Sequence, residues 1–104
     1  DIQGEGCSKG IVKGKVRKVY DPFNTTLVKG EILLAEFTDP GWITLFPAAA
    51  GIIVERGSQL SHSAIVSREL GIPCIVKAEG IMDTLNDGDE IEMDGSTGAI
   101  RLMS

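Results

Sequence analysis

A mixed α/β domain with several short strands and few, short helices is the fold class predicted by three observations. Apolar runs recur in the middle of the chain, at residues 32–35, 51–54 and 74–76. They are short enough to favour buried strands over helices. The segments between them carry helix start and stop signals, which produces the β–α alternation of an α/β domain. Near the end, Glu90-Ile91-Glu92-Met93-Asp94 alternates polar with apolar residues ahead of the turn Gly95-Ser96-Thr97-Gly98. That pattern predicts an antiparallel hairpin with one face in water.

Taken in order, residues 1–9 are polar and rich in glycine, and predict a lead-in loop. Residues 11–20 carry Ile11, Val12, Val16, Val19 and Tyr20 among lysines and arginines. They predict a strand that Gly10 and Gly14 bend or bulge. Asp21-Pro22-Phe23-Asn24 is a turn by composition. Residues 25–28 predict a second strand, and Lys29-Gly30-Glu31 a further turn. After the buried strand at 32–35, Asp39 is a candidate cap and Pro40 a first helical residue for a short helix over 41–46 that Pro47 closes. Trp42, Leu45 and Phe46 are its core side chains. Beyond the strand at 51–54, residues 61–71 predict a second helix. Ser61 is its N-cap, Leu60 and Ile65 form a hydrophobic staple, Gly71 is the left-handed terminator, and Pro73 ends the segment. The strand at 74–76, a short helix over 79–85, the turn Asn86-Asp87-Gly88 and the hairpin complete the chain.

The 104 residues are the length of one domain and can bury a sizeable core. Ten basic and fifteen acidic residues leave a net charge of −5, and the basic ones are scattered. A nucleic-acid footprint requires clustered Lys and Arg, so that partner class is excluded, and no stretch approaches the roughly 20 apolar residues of a membrane span. Nothing at the start has the basic and apolar regions of a signal peptide. Cys7 and Cys74 form no CxxC pair, so two free thiols in a reducing cytoplasm are expected. The start and end also fit a segment of a longer protein.

The chemistry centres on His62, the only histidine. A single histidine without companion ligands makes no metal site. Ser58, Ser61 and Ser63 crowd it, which raises a serine–histidine hydrolase as one option, but no orienting acid is identifiable. The sharper option makes His62 itself the nucleophile. A neutral imidazole nitrogen can take a phosphoryl group as a phosphoramidate. At the first position of a helix, the positive dipole end and free amides favour the anion so carried, by about 0.3–1 kcal/mol when exposed. The hydroxyls of Ser61 and Ser63, the turn at Gly57 and Ser58, and Arg68 are candidate phosphate neighbours. The bland alternatives are a surface histidine beside a serine cap, an Arg68 on the solvated helix face, and a Cys74 that is simply core.

The stretch Gly57-Ser58-Gln59-Leu60-Ser61-His62-Ser63-Ala64-Ile65-Val66-Ser67-Arg68-Glu69-Leu70-Gly71-Ile72-Pro73 resembles the phosphohistidine, or swivelling, domain of the phosphoenolpyruvate-utilising enzymes. That family includes phosphoenolpyruvate synthase, pyruvate phosphate dikinase, enzyme I of the sugar phosphotransferase system and rifampicin phosphotransferase. Thr38-Asp39-Pro40-Gly41-Trp42, Ala50-Gly51-Ile52-Ile53-Val54-Glu55, Asp87-Gly88-Asp89, Asp94-Gly95 and the opening Ser8-Lys9-Gly10 with Gly14-Lys15-Val16 fit as well, so the likeness runs along nearly the whole chain. Two positions depart from it. Many members have glycine where Ser58 stands, and threonine, in contact with the active histidine, where Leu60 stands. Leu60 and the Pro-Gly-Trp segment look more like the synthase and rifampicin-phosphotransferase branches.

The resemblance implies a swivelling β/β/α domain whose His62 accepts a phosphoryl group at one site and delivers it at another. It implies ATP-binding and phosphoenolpyruvate- or pyruvate-type partner domains, with ATP and Mg²⁺ held there and no cofactor bound by this chain. The alternative class is a non-catalytic binding or regulatory module, or a plain structural domain, that keeps the fold without turnover.

Overall fold

The computed structural model describes residues 2–103. Eight strands, β1 (Ile2–Gln3), β2 (Glu5–Ser8), β3 (Ile11–Lys18), β4 (Ile32–Ala35), β5 (Gly51–Val54), β6 (Cys74–Val76), β7 (Glu90–Asp94) and β8 (Ala99–Leu102), join two helices, α1 (His62–Leu70) and α2 (Ile81–Thr84). The strands hydrogen-bond in the order β1-β8-β7-β3-β4-β5-β6-β2.

The three apolar runs become β4, β5 and β6, and all three match their predicted bounds. They run parallel, with Leu33 beside Ile52 and Ile53 beside Ile75. All of their residues are buried, which explains why they read as unbroken apolar runs. Their side chains alternate between two cores. Leu33, Ala35, Ile52, Val54, Cys74 and Val76 face one way, onto Trp42, Phe46 and Ala64 of α1. Ile32, Leu34, Ile53 and Ile75 face the other way, onto Ile81 of α2 and onto Ile91, Met93 and Ile100 of the terminal hairpin. The result is the predicted β/β/α layering: helix, parallel sheet, antiparallel sheet.

β3 belongs to both sheets. Residues 11–15 pair antiparallel with β7, and from Val16 the strand pairs parallel with β4 instead. The change falls just beyond Gly14, where the sequence predicts a bend.

Three expectations are corrected. The lead-in loop contains β1 and β2, apart from Asp1, which lies outside the described residues. Ile2 pairs with Ile100, and Glu5 and Gly6 pair with Val76 and Ile75. These polar, glycine-bearing strands exist because the edges of two sheets need partners, which local propensity does not report. Residues 25–28 form no strand, because β3 is already paired on both sides, by β7 and β4. Only Leu27 is buried there, and the Val28 amide is held by Glu31 Oε1 at 2.8 Å. The helix expected over 41–46 is replaced by two 3₁₀ turns, Pro40–Trp42 and Phe46–Ala48. Asp39 does cap the first, accepting from the Gly41 amide at 2.9 Å. Pro47 lies inside the second, and its missing N–H together with the constraint it puts on Phe46 blocks an α-helical ladder.

β1 and β2 are separated only by Gly4, yet they stand at opposite ends of the strand order. The sheet therefore curls until its edges meet. The seam is closed by backbone packed on backbone: the Gly4 amide donates to Gly98 O at 2.8 Å, and the Gly95 amide to Gly10 O at 2.8 Å. A Cβ on Gly95 would lie 1.9 Å from Ser8 O, so only glycine fits.

Candidate functional site

The site forms where two neighbouring parallel strands end. β4 runs out into residues 36–39, and β5 into residues 55–61. Because the strands are adjacent and parallel, their C-terminal loops lie side by side, the usual location of ligand sites in such sheets.

Gly57 turns the second loop toward α1. Its φ is 135°, and a Cβ would stand 3.0 Å from Ser61 Oγ. Both the backbone conformation and the space select glycine. Ser58 organises the turn that follows. Its hydroxyl accepts from the Leu60 amide at 3.2 Å, and its carbonyl accepts from the Ser61 amide at 3.1 Å and hydroxyl at 2.8 Å. His62 then starts α1 and Gly71 ends it at φ 72°, as predicted. Ser61 occupies the N-cap position, but its hydroxyl is turned back to Ser58 and makes no cap hydrogen bond. The expected staple buries little, since Leu60 is 82% and Ile65 44% exposed. The first turn of α1 thus keeps amide donors without a side-chain cap, which is the arrangement that suits an anion.

His62 is half-buried. Its Nδ1 lies 3.1 Å from Thr38 Oγ1, and its ring packs against Phe46 with centroids 5.8 Å apart and planes tilted by 58°. With hydroxyl on one ring nitrogen and aromatic edge beside it, the imidazole is held in one orientation. If Nδ1 carries the hydrogen and donates it to Thr38, Nε2 keeps a lone pair. Ser63 is buried, with its hydroxyl 3.4 Å from Ser61 Oγ. The two serine hydroxyls bond each other and Ser58, and among the described residues none bonds His62, so no serine–histidine nucleophile is assembled.

Arg68 faces elsewhere. Its Nε donates to Cys7 O at 2.7 Å, and its guanidinium also bonds Gln59 Oε1. Gln59 in turn donates to Gly6 O at 2.8 Å. Arg68 and Gln59 therefore tie α1 and the preceding loop to β2. Arg68→Ala is expected to cost about 1 kcal/mol of stability, at the low end for a charged donor because the side chain is exposed. Urea unfolding would measure it, and a midpoint unchanged from wild type would contradict the anchoring role. Cys7 and Cys74, far apart in the chain, meet beneath this tie, with Cys7 Sγ 3.4 Å from Cys74 O. The hydrogen bond with Cys7 and burial together push the Cys74 thiol upward.

Thr38 is the residue that sequence reasoning left without a role. The one signal for it was position: it follows β4 as the His62 loop follows the parallel neighbour β5. Its hydroxyl reaches the imidazole from a different loop than the one that carries Leu60.

Residues 27–98 match the family model of the PEP-utilising enzyme mobile domain. The chain belongs to this family. It is 38% identical over 101 residues to the rifampicin phosphotransferase of Streptomyces sviceus, and 37% identical over 102 residues to a probable phosphoenolpyruvate synthase of Staphylothermus marinus. An uncharacterised protein of Mycobacterium tuberculosis is 42% identical over 102 residues. The alignments take in 97%, 95% and 98% of this chain but only 12% of each relative. The mobile domain therefore corresponds to one part of much longer proteins. Its general role is that of a phosphoryl-carrying domain. Among solved structures, Enzyme I matches at TM-score 0.64 and 24% identity, over 73% of this chain and 32% of that one. Aconitase X of Thermococcus kodakaraensis matches at TM-score 0.73 and 14% identity, over 99% and 98%. At such identities these two speak for the fold, a mixed α/β swivelling-type domain, and fold alone does not assign chemistry. Among the described residues no helix is long and apolar enough to cross a membrane.

Proposed function

We propose that His62 is transiently phosphorylated and shuttles a phosphoryl group between an ATP site and a phosphoenolpyruvate- or pyruvate-like site on partner domains. The observation that carries this reading is the 3.1 Å contact between Thr38 Oγ1 and His62 Nδ1 at the start of a helix. Nδ1–H donates to the hydroxyl and keeps its hydrogen throughout. Nε2 attacks phosphorus in line. The N–P bond forms as the P–O bond to the leaving group breaks, and that electron pair departs on the leaving oxygen. An acceptor oxygen reverses the step, and the N–P pair returns to Nε2. The amides at the start of α1 favour the anion carried on the ring, while the hydroxyls of Ser61 and Ser63, bonded to Ser58 and to each other, hold the turn beside it. Gly57 and Ser58 shape the turn that delivers it. ATP and Mg²⁺ belong to a partner domain, where the ion would neutralise charge on the transferred group.

Incubation with partner domains and labelled ATP or phosphoenolpyruvate should give one acid-labile, base-stable label per chain. His62→Ala should abolish it. Label that survives this substitution would remove His62 from the role. No label on the wild-type chain would favour a non-catalytic module that keeps the fold.

A further inference from the structure

Beside the His62 site lies an open groove of about 620 Å³. The chain has five aromatic residues. Phe46 is buried against His62, and the other four, Tyr20, Phe23, Phe37 and Trp42, line this groove. Tyr20 is 74%, Phe23 81% and Phe37 50% exposed. Every exposed aromatic ring of the chain is thus gathered at one place. A domain has no reason from its own folding to leave such surface in water, and exposed apolar patches of this kind mark interaction sites.

The charge around the rings is of one sign. Asp21, Glu36, Asp39, Glu55 and Asp83 line the groove, and no lysine or arginine does. Asp21, Asp39 and Glu55 each hold a backbone amide. Glu36 and Asp83 make no side-chain hydrogen bond among the described residues. The ion pairs of the described residues involve Glu5, Glu31 and Glu92 only, so none of the five groove carboxylates is neutralised by an ion pair among them.

Aromatic faces bordered by carboxylates are complementary to a guanidinium, which stacks flat on a ring while its edge donates to carboxylate oxygens. A lysine ammonium offers neither the plane nor the fork. We infer that this groove docks an arginine-bearing segment of a partner domain. The binding stands on the groove alone, while naming the partner as a domain of the same phosphotransfer enzyme rests on the carrier reading. Glu36 and Phe37 immediately precede Thr38, and Asp39 immediately follows it. A segment seated here would lie against the loop that orients His62, so docking presents the histidine to whatever site that partner holds.

Trp42 is the only tryptophan and lines the groove, so its emission reports occupancy. The 104-residue chain would be titrated with a hexapeptide carrying two arginines, with its citrulline counterpart, and with free arginine amide. The arginine peptide should bind saturably and lose about tenfold in affinity to Glu36→Lys combined with Asp83→Lys. It should also weaken as salt is raised. Equal binding of the citrulline peptide, or unaltered binding by the double variant, would overturn the inference. Arginine amide binding as tightly as the peptide would make this a small-cation site and overturn it as well. In the full-length enzyme the double variant should slow labelling of His62 by the enzyme's own donor site about tenfold. Labelling by phosphoramidate, a small donor that needs no docking, should be unchanged. Failure of phosphoramidate to label the wild-type chain would instead sink the carrier reading and leave the titration to judge the groove.

Discussion

Thr38→Val is expected to slow phosphorylation of His62 by about tenfold, some 1.4 kcal/mol at the transition state, while the domain stays folded. Valine keeps the shape of threonine and removes only the hydroxyl that meets Nδ1. Without that acceptor, the imidazole is free to place its hydrogen on either nitrogen, and the fraction with a lone pair on Nε2 falls. Thr38 is thus a positioning residue, acting through His62. Two readouts separate this from a general loss of structure. Nitrogen-15 shifts of the ring should report a smaller Nδ1–H population in Thr38→Val, and Thr38→Ser should restore both tautomer and rate. A variant labelled at the wild-type rate with an unchanged tautomer would show that the hydroxyl does not set the reactive nitrogen.

Gly95→Ala should have the largest effect on stability. The added carbon would lie 1.9 Å from Ser8 O, and neither that carbonyl nor the Gly95 backbone can move without opening the seam between the sheet edges. A cost of about 3 kcal/mol follows, or a fall in Tm of roughly 10–25 °C for a domain of this size. Gly30→Ala provides the contrast. Its φ of 95° disfavours alanine, but nothing lies within 4 Å of the added carbon, so about 1 kcal/mol is expected. Thermal unfolding followed by circular dichroism compares the two. Equal midpoints would mean that the seam relaxes cheaply.

Elements whose sequence pattern reflects their own burial were legible. β4, β5 and β6 are apolar throughout because both of their faces are covered. β7 alternates because one face of it is not, and α1 carries its terminator at Gly71. What could not be read locally is what depends on a distant partner. β1 and β2 are strands only because Ile100 and Ile75 lie opposite them. Residues 25–28, with β-branched Thr25, Thr26 and Val28, fail to be a strand because no edge was left. Pro40 and Pro47 were visible, but a chain with a proline every seven residues can make 3₁₀ turns as well as a short helix, and packing of Trp42 and Phe46 decided between them. The same division holds at the site. His62 at the start of a helix was legible from Gly57, Ser61 and Gly71. The cap was not, because Ser61's hydroxyl had a nearer acceptor in the Ser58 carbonyl. Thr38 was invisible because its role arises from the adjacency of β4 and β5, which brings residues 24 positions apart into hydrogen-bond contact.

The pairing of β1 with β8 has a mechanical consequence. Ile2 stands opposite Ile100 and Gln3 opposite Ala99, so the first and last strands are antiparallel neighbours. Two attachments made there would grip the domain at a single point about one inter-strand spacing wide, some 4.8 Å. Torque applied at such a stalk turns the body as a whole, because pulling on one end loads its neighbour across the same ladder and not across the core. The longest extent of the domain is 31 Å. Pivoting on that stalk as a rigid body, a point one such extent away travels at most twice that distance.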